Sequence, residues 1–275
     1  MIFLLALIPF SHPFWSSLPT PSVPDWKKIE ERLSIASYAN MGDGVYMDGE
    51  ITSISEPFSF HKNGFKVTGD IYYLGGGFMD SPIDSWHDFW GLPVGDRPNM
   101  PKNQVLMSFE HDGDVLWEVR DSGFGVSPLR VSKDMKNDLI LKAVVFPGVG
   151  PLDLYSAPSL AVYKKYKHGK WFGEYGGGWF GGLDIETLEG TGFFAFSAFR
   201  EKKVHENVLN FGIVSSTNLW TGPANSTLEG QVTELYLSAK FRLNEYFFRI
   251  GFSEDLSVNR VADFNLFLEF FPVSD

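Results

Sequence analysis

The stretch Glu234-Leu235-Tyr236-Leu237-Ser238-Ala239-Lys240-Phe241-Arg242-Leu243-Asn244-Glu245-Tyr246-Phe247-Phe248-Arg249-Ile250-Gly251-Phe252-Ser253 decides the fold. Leu235, Leu237, Ala239 and Phe241 alternate with Glu234, Tyr236, Ser238, Lys240 and Arg242. After the short Leu243-Asn244-Glu245 turn, Tyr246, Phe248, Ile250 and Phe252 alternate with Phe247, Arg249 and Ser253. Successive side chains of a strand point to opposite faces, so this is a hairpin with one apolar and one polar face. Phe65, Val67, Ile71 and Tyr73 against Lys66, Thr68, Asp70 and Tyr72 repeat the rule, as do Phe264, Leu266, Leu268 and Phe270 against Asp263, Asn265, Phe267 and Glu269.

A period of two dominates from about residue 29 onward, and no long amphipathic helix interrupts it. Fourteen candidate strands lie near 29–40, 44–55, 64–75, 103–111, 114–121, 125–133, 137–147, 158–166, 170–181, 190–201, 206–217, 230–242, 245–254 and 261–271. A soluble sheet with one wet face alternates in the same way, so the connections carry the distinction. The tight turns His111–Asp114, Asp134–Asp138, Lys167–Lys170 and Leu243–Glu245 follow even-numbered candidates, and the longest connections, 76–102, 148–157 and 218–229, follow odd-numbered ones. Short turns at one end and long loops at the other are the pattern of bacterial outer-membrane barrels, with both termini on the short-turn, periplasmic side.

The alternation of lengths is broken at 56–63 and 201–206, which are intermediate, and at 40–44 and 121–125, which are short on the wrong side. Pro128 falls inside a candidate strand, and fusing or dropping a hairpin there gives twelve. The expected fold is therefore all-β: an antiparallel up-and-down transmembrane β-barrel of about 12–14 strands. A tilted segment of about 9 to 11 residues spans a bilayer, and most of these runs have that reach.

Aromatic residues make up 16% of the chain, as Phe 26, Tyr 10 and Trp 8, which suits rings of aromatics at two lipid interfaces. The formal charge of −11 disfavours nucleic acid as a partner. Cys 0 excludes disulfides, thiolate metal sites and cysteine nucleophiles. Beyond the N-terminus no run of about 18 apolar residues exists to form a membrane helix. The apolar Met1–Phe10 segment, followed by Ser, Pro and small polar residues, reads as a signal peptide and Pro-rich lead-in over 1–24, with the barrel domain over 25–275.

Residues Trp86-His87-Asp88-Phe89-Trp90-Gly91-Leu92-Pro93-Val94-Gly95-Asp96-Arg97-Pro98-Asn99-Met100-Pro101 resemble the (W/F)GLPxGxRxxxP segment of an uncharacterised family of predicted bacterial outer-membrane barrels, through Trp90, Gly91, Leu92, Pro93, Gly95, Arg97 and Pro101. The resemblance implies an outer-membrane location, outer-membrane lipid as surroundings, and the barrel-assembly machinery as a partner during biogenesis. It implies no chemistry. Read physically, the prolines and glycines make this an ordered loop, Ser85–Trp90 one helical turn that lays Trp86 and Trp90 on the barrel rim, and Arg97 a residue that holds the loop through carboxylate or carbonyl contacts.

Catalytic signals are weak. The histidines His12, His61, His87, His111, His168 and His205 include no helical i, i+4 metal pair, and no nucleophile elbow, P-loop or dinucleotide fingerprint appears. No cofactor or metal is expected. The polar face of the strands is more informative: Asp48, Glu50, Lys66, Asp70, Glu110, Glu118, Arg120, Arg130, Lys142, Glu174, Glu234, Lys240, Arg242, Arg249, Asp263 and Glu269 carry nine acids and seven bases. Such a face would be costly in an apolar core and is accepted by a hydrated or salt-bridged lumen. The sequence thus points to a non-enzymatic outer-membrane barrel, structural or a narrow, weakly selective pore. Two alternatives are a barrel enzyme modifying envelope lipids near His87 and Asp88, and a soluble barrel binding an apolar ligand.

Overall fold

The structure is a computed structural model that describes residues 31–42, 45–77, 79–91, 97–111, 114–127, 129–146, 148–152, 159–180, 191–217, 232–256 and 264–272. The expected signal peptide and lead-in fall outside them, as does Asp263. Among the described residues fifteen strands join one antiparallel sheet. In chain order they are β1 (Glu31–Gly42), β2 (Val45–Lys62), β3 (Phe65–Gly75), β4 (Leu106–His111), β5 (Asp114–Val119), β6 (Gly123–Val126), β7 (Leu129–Asp134), β8 (Leu139–Phe146), β9 (Ser159–His168), β10 (Trp171–Phe180), β11 (Thr191–Val204), β12 (Asn207–Ser216), β13 (Val232–Leu243), β14 (Tyr246–Asp255) and β15 (Phe264–Pro272). One helix, α1 (Asp80–Trp90), and a single 3-10 turn at Arg97–Asn99 lie between β3 and β4.

Pairing runs from β1 to β15, then through β14 down to β7 in sequence order, on to β3, and from β3 to β2. Because β2 also pairs with β1, twelve of the strands, β1–β3 and β7–β15, form a closed ring. Closure leaves no free sheet edge along the ring wall.

The ring accounts for the irregularities in the sequence pattern. The 125–133 candidate is two short strands, β6 and β7, both pairing with β3 and interrupted where Ser127 exchanges hydrogen bonds with Asp70. The 103–111 and 114–121 candidates, seen as β4 and β5, are not ring members. Val45–Asp48 of β2 pair with β4, whereas β3 ends opposite Glu50, so the β4–β5 hairpin extends the wall beyond the rim. Residues 56–63 and 201–206 lie largely in β2 and β11, which leaves tight turns at 63–64 and 205–206. The ends are then clearly unequal. At one end 63–64, 135–138, 169–170, 205–206 and 244–245 reverse the chain, with positive φ at Asn63, Gly64, Asn137, Asp138, Gly169, His205 and Asn244, as tight hairpin turns require. At the other end the connections are 76–122, 147–158, 181–190, 217–231 and 256–263, with 43–44 the one short exception.

Register separates two faces. Leu33, Ile54, Tyr73, Leu160, Val162, Phe194, Leu209, Phe211, Leu235, Leu237 and Ile250 share the outward face and are exposed. Ile51, Tyr72, Leu74, Tyr163, Phe199, Tyr236 and Phe267 point inward and are buried. Two inward rings pass over glycines of the intervening strand. Phe199 reaches Tyr236 across β12 where Gly212 sits, at 5.4 Å between centroids, and Tyr236 stacks on Phe267 across β14 where Gly251 sits, at 5.2 Å. A Cβ at Gly251 would lie 2.1 Å from the Phe267 ring, so the glycine makes the stack possible.

Candidate functional site

Two polar constellations stand out, one inside the ring and one on its outer rim. Inside, Arg249 and Glu269 are register partners on β14 and β15, bonded at 3.0 Å and almost fully buried. Lys142 of β8 reaches Glu174 of β10 at 3.0 Å across β9, and Arg130 of β7 reaches Asp70 of β3 at 2.6 Å. Lys66, Glu234, Lys240 and Arg242 belong to the same inward face by register. Glu234 is buried, while Arg242 is exposed near the short-turn rim. At mid-height the wall is packed rather than wet, since Tyr163, Ser197 and Phe199 have 0% exposure. Buried charge is tolerated there because Glu269, Glu174 and Asp70 each have a cation within hydrogen-bond reach.

Five residues of the expected inward face are elsewhere. Glu118 and Arg120 flank the end of β5, beyond the ring, as an exposed pair at 2.6 Å, and the guanidinium holds the Glu118 carboxyl below its ordinary range. Glu110 belongs to β4 in the same hairpin. Asp48 and Glu50 share the face of Ile54, which is outward. Period two separates the faces of a strand without saying which one is covered, and here a loop covers the charged end of the outer face.

That loop is the 76–105 segment. Glu254, Phe264, Ser37 and Glu50 are successive register partners across β14, β15, β1 and β2. Helix α1 lies across this row. The backbone N–H of Met79 donates to the Glu50 carboxylate, and His87 Nε2 lies 2.8 Å from Glu254 Oε1. From Met79 to His87 a helix advances about 12 Å, close to the roughly 14 Å of three strand spacings. Ile83 is buried beneath the helix and Trp86 packs edge-on against Phe252 at 5.2 Å. Gly77 approaches so closely that any side chain there would overlap the Glu50 carboxylate. Gly91 ends the helix at φ 65, its N–H bonding to His87 O.

Arg97 closes the segment. Its guanidinium donates to Asp80 Oδ1 at 2.6 Å and to Ser37 Oγ at 3.0 Å, and it is buried. Asp80 Oδ2 accepts from the Asn103 N–H, and the Gln104 amide donates to Asp48 and to Tyr46. Burial pushes the Asp48 carboxyl up to about 6; the Gln104 hydrogen bond opposes this, Asp80 adds to it and Arg97 opposes it. Of the remaining motif residues, Trp90 is exposed on α1 and Pro101 is exposed, whereas Leu92, Pro93 and Gly95 lie outside the described residues. His87 is buried against Glu254 while Asp88, about 100° further round the helix, is exposed, so the two do not converge on one reacting position. Among the described residues no group of three or more potential ligands gathers to hold a metal ion.

Asp80, Ser37, Glu254 and the full length of α1 were not visible as a unit in the sequence. A signal was present: Met79, Ile83, Trp86 and Trp90 recur at helical spacing, with Pro82 in the first turn and Gly91 just past the end.

Apart from Phe252, Glu254 and Phe264, this brace of the 76–105 segment against the wall lies within a stretch that a family model matches. A family model described as a protein of unknown function (DUF3187) matches residues 22–140. The match takes in β1 to β7 and the 86–101 segment. No curated protein sequence matches. Among solved structures, an outer membrane channel from Pseudomonas putida F1 aligns at 10% identity and a TM-score of 0.42, covering 92% of this chain and 97% of that one. The outer membrane channel DcaP of Acinetobacter baumannii aligns at 8% identity and 0.32, covering 87% and 94%. OmpF of Salmonella typhi aligns at 8% and 0.30, covering 88% and 96%. These likenesses are loose, and the fold assignment rests on the strand pairings alone.

Proposed function

We propose that this chain is an outer-membrane β-barrel protein, structural or a narrow, weakly selective pore, with its tight turns in the periplasm. One observation carries the reading: the outward face of the ring is a continuous belt of exposed apolar side chains, including Leu33, Ile54, Leu160, Leu209, Leu237 and Ile250. Monomers in water rarely expose such a surface, and a bilayer is its natural solvent. Trp171 and Trp179 bound the belt on one strand, both exposed and outward. Their separation along β10 is about 27 Å, or about 20 Å along the membrane normal at the usual barrel tilt, near the roughly 25 Å apolar band of such barrels.

The packed rings and buried ion pairs at mid-height support a lumen that conducts little. The test is fractionation with the outer membrane together with heat-modifiable migration in detergent gels. A fully soluble, heat-insensitive product overturns the reading. Planar-bilayer conductance then separates the two roles, and neutralising Arg242 and Arg249 alters ion preference only in a pore.

A further inference from the structure

On the outward face at the tight-turn rim, Arg200 of β11 is the register partner of both Trp171 on β10 and Phe211 on β12. Its guanidinium carbon lies 5.9 Å from the Trp171 ring centroid, and the two rings meet edge-on at 5.8 Å. Lys202 shares this face one step closer to the turn, opposite Leu209. Glu201 lies between them in sequence and faces the other way, opposite buried Asn210. Among the described residues no carboxylate pairs with Arg200 or Lys202. The same combination recurs further round this rim, where Lys133 of β7 stands 4.2 Å over its outward register partner Phe65.

A cation on a lipid-facing surface needs a counter-charge, and among the described residues no carboxylate supplies one to Arg200 or Lys202, although the formal charge of the chain is −11. The Trp171 ring, itself held edge-on by Phe211, positions the guanidinium, and a planar guanidinium matches the paired oxygens of a phosphate. We propose that Arg200 and Lys202, beside Trp171 and Phe211, bind the phosphodiester headgroup of an anionic glycerophospholipid in the leaflet that meets the tight turns. This rests on the membrane-barrel reading above and adds a lipid site to it.

The experiment is native mass spectrometry of the folded full chain in a neutral detergent, titrated with phosphatidylglycerol. The wild type is expected to retain the lipid, and R200Q/K202Q to bind it about 25-fold more weakly, since each cation near an anionic surface contributes about fivefold. R200K/K202R should keep most of the binding, which shows that the lost contact is charge and not fold. K102Q, which removes a cation at the opposite rim, should leave the titration unchanged. Equal retention by R200Q/K202Q and the wild type overturns the proposal. So does displacement of the lipid by inorganic phosphate alone, which marks a free-anion site. A chain that remains soluble without detergent removes the membrane reading and this proposal together, whereas one that inserts but binds lipid equally in all variants removes only the proposal.

Discussion

Arg97 and Asp80 are joined at 2.6 Å in a buried pair that ties the end of the 76–105 segment to the start of its helix, while the same guanidinium reaches Ser37 on the barrel wall. Removing one partner of a buried pair leaves the other charge stranded, at a cost of about 3–5 kcal/mol. Arg97→Ala is therefore expected to release the segment without opening the ring. Limited proteolysis should show new cleavage confined to 76–105, with heat-modifiable migration retained. Cleavage as slow as in the wild type would mean that the clamp is held elsewhere.

Arg249 and Glu269 set up a comparable test inside the ring. Arg249→Ala should lower the stability of the barrel by about 3–5 kcal/mol, because Glu269 is left buried without its cation. The paired change Arg249→Met with Glu269→Leu should recover most of that loss. Urea unfolding in detergent measures both, and equal loss in single and double variants would refute the pairing.

Gly251→Ala places a methyl group against the Phe267 ring and the Ser238 side chain, which calls for a loss of about 1–3 kcal/mol. Adding Phe267→Leu should restore part of it. A neutral single variant would show that the Tyr236–Phe267 stack yields easily.

Asp48 gives the brace a pH dependence. It lies on β2 beyond the last partner of β3, outside the ring wall. Its folded pKa of about 6 exceeds the ordinary value of 3.8, so the closed segment holds a proton that the released segment gives up. Closure is then strongest below about pH 4, weakens as pH rises to about 6, and levels off above. The neighbours that act on Asp48 are Gln104, Asp80 and Arg97, with Tyr46 beside it. A spin label on Lys102→Cys, in a chain with no other cysteine, should gain mobility across this interval, and Asp48→Asn should flatten the change. A profile unaltered by Asp48→Asn would assign the effect to another group.

Much of the architecture was legible because a strand repeats every two residues and a tight turn has its own residue chemistry. Tyr246, Phe248 and Ile250 against Phe247 and Arg249 gave a face pattern that survives in β14, and Leu243-Asn244-Glu245 marked the reversal. The strand count was less legible. β4 and β5 alternate as ring strands do, and only the end of β3 opposite Glu50 shows that they stand above the wall.

The outward apolar belt, the antiparallel order and the unequal ends follow from local periodicity and turn residues, and could be read before any coordinates. Which charges face the lumen depends on long-range packing. Asp48 and Glu50 alternate as inward residues would, yet the register puts them on the outward face, where the 76–105 segment covers them. Alternation is set by bonds within a strand, whereas covering depends on contacts between residues as far apart as His87 and Glu254.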